Sequence, residues 1–208
     1  ITSKTKAIVW TDINGQSPDI DKIVTIAKKH NLWTVKDAAP SAGSMYKGKK
    51  IGHKDHNIDI TCFSFGPVKN FGAIGGAGGI TGSKEICDEA RQLKNHGRDK
   101  NHTRYDHTRA GWNRNIHTIQ AAFLLAKLPY LDELNDRRRV HAKVYNTRLS
   151  NIVNHVPEEQ FFQRHTYHLY SVLVDDRQSI SKHLQDNNVE ALAHWPKGLH
   201  EYSHTPNS

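Results

Sequence analysis

The sequence predicts an α/β protein with a mostly parallel sheet in a larger unit, followed by a small α/β unit at the C-terminal end. Three observations predict it. Apolar strand patterns alternate with amphipathic helix patterns through the first half of the chain, the signature of βαβ units. A polar, basic stretch without periodicity, from Asn95 to Ala110, separates that part from two helices. Past Pro157 the strand and helix patterns restart. The boundaries expected are a larger unit over 1–128, a linking helix over 129–152 and a small unit over 153–208. A chain of 208 residues buries one good core, or one core and a small appended unit.

Ala7-Ile-Val-Trp10 reads as the first strand. Ser17-Pro-Asp opens a helix with Ser17 or Asp19 as N-cap, and Ile20, Ile23, Val24 and Ala27 form its core face at helical spacing. The next strand ends at Asp37, another runs from Ile58 to Ser64, and Gly79-Ile-Thr81 is a short one ahead of a helix over Lys84–Leu93. Helices follow at Ile116–Ala126 and Tyr130–Asn151, the second with Leu131, Leu134, Tyr145 and Leu149 on one side. The last part reads as strand Tyr167–Val174, helix Gln178–Asn187 and strand Val189–His194.

Composition narrows the functional classes. Hydrophobic residues at 36% and aromatics at 8% suit a soluble globular protein, and no apolar run approaches the length of a membrane span. Cys62 and Cys87 are too few for a disulfide framework, so a reducing, cytoplasmic setting is expected. The net charge of +8 steers anionic partners such as a nucleotide or phosphate. Arg137-Arg138-Arg139 lies in a helical stretch and reads as a solvated face. With no recognisable nucleic-acid module, nucleic acid is not an expected partner. Among the fifteen histidines, His53 and His56 have H-x-x-H spacing and His96, His102 and His107 cluster in the polar loop. Neither group has the converging ligands of a zinc site, so solvated histidines and no metal are expected. The chain opens on Ile1-Thr-Ser-Lys-Thr-Lys and runs straight into a strand, which suggests a fragment without its natural beginning.

The chemistry concentrates at Lys69. It follows the apolar strand Cys62-Phe-Ser-Phe and sits at the head of a glycine-rich loop running to Gly79. An apolar, glycine-flexed pocket disfavours the hydrated ammonium and leaves a nucleophilic amine. Asp37 ends an earlier strand. In a parallel sheet such strand ends share one rim, where ligands gather. An acid at one strand end and a lysine after another are the minimum needed to hold pyridoxal phosphate, the lysine as imine former and the carboxylate facing the pyridine nitrogen. The plain alternative is a solvated lysine and a turn-capping carboxylate.

The surrounding motifs favour the cofactor. Asp37-Ala-Ala, Tyr46-Lys-Gly-Lys, Phe63-Ser-Phe-x-Pro-x-Lys-Asn-x-Gly, Asn95-His-Gly, Gly111-Trp-Asn-x5-Ile-Gln-Ala-Ala122 and His194-Trp-Pro-x-x-Leu-His200 occur in that order. This resembles the nucleotide-sugar aminotransferases of DegT/DnrJ/StrS type, a branch of the fold type I pyridoxal-phosphate enzymes, over essentially the whole chain. The resemblance implies that 1–128 is the later part of the cofactor-binding large domain and 153–208 the small domain. It implies Lys69 as the imine-forming, proton-shuttling lysine, Asp37 as the partner of the pyridine nitrogen and Ser64 as a phosphate ligand. Asn113 matches a residue that reaches the phosphate of a neighbouring subunit, so a homodimer with a shared site is implied. His194 and His200 match a segment near the substrate. Taken singly, Ser64 reads as a strand-end hydroxyl and Asn113 as a cap for the helix near Ile116.

The implied reaction moves an amino group from an amino-acid donor, glutamate in most of the family, to a keto group of a nucleotide-linked sugar. The other reading is a non-catalytic relative or fragment acting as a binding or sensor module. The chain departs from the family pattern at Pro40, where a glutamine is usual, and at Gly76, where an acid is usual. Asn115 and His117 stand where arginine and aspartate are usual. Family members are also longer and begin with a segment carrying a Gly-Thr phosphate loop and a ring-stacking aromatic.

Overall fold

The computed structural model describes residues 1–99 and 105–203, so His102 lies outside the described residues. The elements follow the sequence closely through the first part. Strand β1 spans Ala7–Thr11, helix α1 Ile20–Lys29 and strand β2 Trp33–Asp37. Short strands β3 (Met45–Tyr46) and β4 (Lys49–Lys50) form a hairpin, followed by β5 (Ile60–Ser64), β6 (Gly78–Gly82) and helix α2 (Lys84–Lys94). Helices α3 (Thr118–Lys127) and α4 (Leu131–Leu149) come next, then the two-residue strand β7 (Gln163–Arg164) and helix α5 (Arg177–Asp186).

The main sheet has the order β1-β2-β5-β6. β1, β2 and β5 are parallel and β6 closes the edge antiparallel. α1 connects the parallel strands β1 and β2 and packs on the sheet. Asp19 caps α1 by accepting the Lys22 N–H, and Ile20, Val24 and Ala27 are its buried stripe. Two apolar clusters result. Ile20, Val24, Ala38, Tyr46 and Ile51 form one, and Ala42, Phe71, Ala73, Leu124 and Leu131 the other, with Phe63 packed against both. No helix among the described residues is long and apolar enough to cross a membrane.

The C-terminal part departs from expectation. Tyr167–Val174 is not a strand. Within it Leu173 makes one isolated bridge to His155, and regular pairing occurs earlier, where β7 joins β3. The reason is local: Tyr167 turns to φ 46°, and Thr166 and Leu169 donate their N–H groups to Gly15 and Asn14. This segment clamps a turn of the larger unit instead of extending. Gly15 permits the approach, since a Cβ there would stand 2.3 Å from Thr166 Oγ1. Val189–His194 is exposed and forms no strand among the described residues; its Val189 N–H donates to Leu184 O at the end of α5.

α4 buries Leu131, Asn135 and Ala142, while Tyr145 is exposed, so its inner face is partly polar. The Arg137–Arg139 run is not uniformly a solvated face. Arg137 pairs with Glu133, whereas Arg138 and Arg139 donate to the carbonyls of Tyr167 and His165. His56 is buried against Tyr46 O rather than solvated, and His53 accepts from Asp55 N–H.

Candidate functional site

The carboxyl ends of β2 and β5 build a rim. Thr11, Asp37 and Cys62 are register partners across β1, β2 and β5, so they share one face, and Ser64 follows two residues later on that same face. Val9, also on this face, is 67% exposed, which leaves the face open beside the rim. Asp37 is held on both oxygens: Oδ2 accepts from the Thr11 hydroxyl at 3.3 Å and Oδ1 from the Ala39 N–H at 2.9 Å. Burial, and then the Asp37 carboxylate, push the Cys62 thiol above its ordinary value.

Lys69 lies on the loop that follows β5. Its N–H donates to Gly66 O at 2.9 Å, and Ala73 N–H returns to Phe65 O at 2.9 Å. Gly72 closes this loop, because a Cβ there would meet Gly66 O at 2.4 Å and Pro67 O at 2.6 Å. α3 braces the loop from outside, Gln120 accepting from Gly75 N–H at 2.7 Å and Lys127 donating to Gly72 O at 3.3 Å. A Cβ placed on Gly66 would stand 3.6 Å from Ser64 Oγ and 3.9 Å from Lys69 Cγ. The space above Gly66 is therefore flanked by a hydroxyl on one side and the lysine stem on the other. Ser64 Oγ also accepts from Gly66 N–H at 3.3 Å, as the strand-end reading anticipates.

Asp37, Ser64 and Lys69 thus come together on one rim, and the other expected residues lie elsewhere. Asn113 does not cap α3, whose N-cap is His117. It is exposed, bridges to Asn95 and lines a cleft of ≈ 840 Å³ with Cys62, Cys87, Arg91 and Lys94. Asn115 bonds to Asn95 Oδ1 at 3.2 Å. His194 is exposed but within electrostatic reach of His168, and His200 lies exposed in a short turn over Leu199–Glu201.

The structure adds residues that sequence reasoning passed over. Lys36 Nζ is buried against Asp12 Oδ2 and Ser17 Oγ on the opposite face of the sheet from Asp37. Its signal was a charged residue at an inward position of an apolar strand. Asn70, next to Lys69, is buried and bonded to Asn135 and His168. No sequence spacing links those positions.

The comparisons agree with this architecture. The sequence pattern of the DegT/DnrJ/EryC1/StrS aminotransferase family matches residues 1–207. A dTDP-3-amino-3,6-dideoxy-alpha-D-galactopyranose transaminase of Aneurinibacillus thermoaerophilus is 38% identical over 97% of this chain and 54% of its own length. A pleiotropic regulatory protein of Geobacillus stearothermophilus is 33% identical over 96% of this chain and 53% of its own. Among solved structures, S. venezuelae DesV superposes with a TM-score of 0.91 at 31% identity, covering 98% of this chain and 54% of that one. The chain spans about half the length of the curated relatives it matches. With nearly every residue inside the matched pattern and the same fold in a relative of this similarity, the chain belongs to the DegT/DnrJ/EryC1/StrS aminotransferase family.

Proposed function

We propose that this chain carries the amine-bearing part of a pyridoxal-phosphate aminotransferase that acts on a nucleotide-linked keto sugar, with glutamate as amino donor. The observation that carries the reading is the shared rim of Asp37, Ser64 and Lys69. The residues present fit the cofactor: a carboxylate for the ring nitrogen, a hydroxyl for the phosphate and a lysine whose stem stands beside that hydroxyl over Gly66. When bound, pyridoxal phosphate supplies an electron sink for cleavage of a C–H bond next to nitrogen.

The protein's own part is positional and electrostatic. Thr11 and the Ala39 N–H fix the Asp37 carboxylate, so its charge stands at one place. Ser64 at the strand end offers its O–H to a phosphate oxygen. Lys69 holds and releases a proton at Nζ, swung by the loop that Gly72 closes. The cationic side chains of Arg91 and Lys94 in the cleft beside Cys62 suit an anionic substrate. Asn113, exposed on that cleft, serves the neighbouring subunit's phosphate in a homodimer, and His194 and His200 lie on the substrate side. The division at 128 and 152 into large domain, linking helix and small domain, and a cytoplasmic location, belong to the same reading.

The half-reaction tests it. Protein loaded with pyridoxal phosphate and given glutamate is expected to release stoichiometric 2-oxoglutarate with loss of the visible cofactor band. A cofactor-loaded full-length protein that yields none with any amino-acid donor overturns the proposal.

A further inference from the structure

Lys69 stands where an exposed loop turns into the core. Val68 before it is 78% exposed, whereas Asn70 and Phe71 after it are 5% and 9% exposed. Phe71 packs in an apolar cluster, but Asn70 carries an amide inward, and a buried amide needs partners. Its Nδ2 donates to Asn135 Oδ1 at 2.8 Å and to Thr166 O at 3.1 Å, and its Oδ1 lies 3.0 Å from His168 Nδ1. Asn135, buried in α4, in turn donates from Nδ2 to Ala42 O at 3.1 Å. The Thr166 and Ala42 carbonyls are acceptors only, so reversing either amide would face oxygen against oxygen. Both amides are therefore fixed in orientation, and His168 donates from Nδ1 to Asn70 Oδ1.

The partners of Asn70 also hold the acid side of the rim. Thr166 donates its N–H and its hydroxyl to Gly15 O at 3.2 and 3.3 Å, and Leu169 N–H reaches Asn14 O at 3.4 Å. That turn follows β1. Gly15 N–H donates to Asp12 O and Asp12 N–H to Asp37 O, each at 3.0 Å. The short segment 166–169 thus grips both the turn linked to Asp37 and the residue next to Lys69. The N–H of Lys69 bonds inside its own loop, to Gly66 O, so it does not supply that tie. Asn70 does.

We infer that Asn70 is a positioning residue for Lys69. Its side-chain amide docks the lysine-bearing loop on α4 and on segment 166–169, and so sets where Lys69 stands relative to Asp37. The inference rests on Lys69 being the reacting amine. An amide held by Asn135, Thr166 and His168 confines the backbone of the adjacent residue, and misplacing a reacting group slows its attack far more than it weakens binding.

The kinetics of imine formation in the full chain separate positioning from stability. Pyridoxal phosphate is added at rising concentration and followed by absorbance. The half-saturating concentration reads cofactor capture and the limiting first-order rate reads attack by the amine, while borohydride trapping and peptide mapping assign the lysine. Asn70→Ala is expected to lower the limiting rate about tenfold, with half-saturation within about twofold of the parent. Asn135→Ala, which removes one partner of Asn70, should lower it about threefold. The double variant N70A/N135A should be no slower than N70A, because both changes release the same pin. All rates are read below the thermal midpoint of each protein. If N70A does not fold, N135A carries the test with the same two readouts.

A folded N70A or N135A protein with the parent's limiting rate overturns the inference. So does a loss carried wholly by half-saturation, or losses that multiply in the double variant. A parent protein that forms its imine elsewhere than Lys69, or forms none, is a separate failure. It removes the reading of the site, and the positioning role with it.

Discussion

Lys36 Nζ lies 3.0 Å from Asp12 Oδ2, and neither side chain has any exposure. Ser17 accepts from the ammonium and Ser41 donates to the carboxylate, both at 2.7 Å, while Asp12 Oδ1 is left without a partner. Burial raises Asp12 and lowers Lys36, and each opposes that shift in the other. The pair ties the end of β1 to β2 and the entry to α1. Holding it there costs the desolvation of two charges.

Removing one partner leaves the other charge buried alone. Lys36→Met is expected to cost about 3–5 kcal/mol by urea unfolding, whereas D12L/K36M should recover roughly half or more of that loss. Equal stability of the single and double variants would contradict the account.

His165 gives a pH signature. Its Nδ1 accepts the Tyr167 N–H at 3.0 Å, so a proton there would oppose another donor. Burial first, with Arg139 adding and the Gly15 carbonyl opposing, brings His165 down to about 4 from 6.5. The unfolded chain then binds the proton more readily than the folded one between these values. Stability is therefore full above 6.5 and is lost as pH falls toward 4, by at most about 1.4 kcal/mol per pH unit for this group. His165→Gln keeps a donor for Gly15 and should flatten the acid limb of a stability–pH curve.

The glycine loop separates close approach from open space. A Cβ on Gly72 would collide with Gly66 O and Pro67 O, but one on Gly76 meets nothing within 4 Å. Gly72→Ala should displace the Lys69 loop and slow imine formation at least roughly tenfold, while Gly76→Ala stays within about 0.5 kcal/mol of the parent. Parallel melting curves and cofactor titrations check both.

Asp37 is anchored through Thr11 and Ala39 rather than through a charge. Asp37→Asn keeps the acceptor for Ala39 N–H and removes the negative charge. The expected result is a folded protein that binds cofactor but runs the glutamate half-reaction roughly a hundredfold slower. An unchanged rate would remove Asp37 from the chemistry.

The first part of the fold was legible because its signals are local. β1, α1, β2, β5, β6 and α2 have strong periodicity, caps at Asp19 and Ser83, and strand ends marked by Asp37 and Ser64. The strand ends that carry Asp37 and Ser64, and the loop after β5 that carries Lys69, were legible for the same reason. What sequence hid was long-range. Residues 163–169 pair with β3 and clamp the Asn14–Gly15 turn, contacts that no period announces. The polar inner face of α4 was missed because Asn135 reads as surface until Asn70 and Ala42 O are known to lie against it.

The most direct test of the central claim is to load the protein with pyridoxal phosphate, reduce it with borohydride and map the modified peptide. The label is expected on Lys69, with none trapped in Lys69→Ala under the same conditions. A label on another lysine of the parent protein, or trapping that persists at the same site chemistry in K69A, would contradict the account.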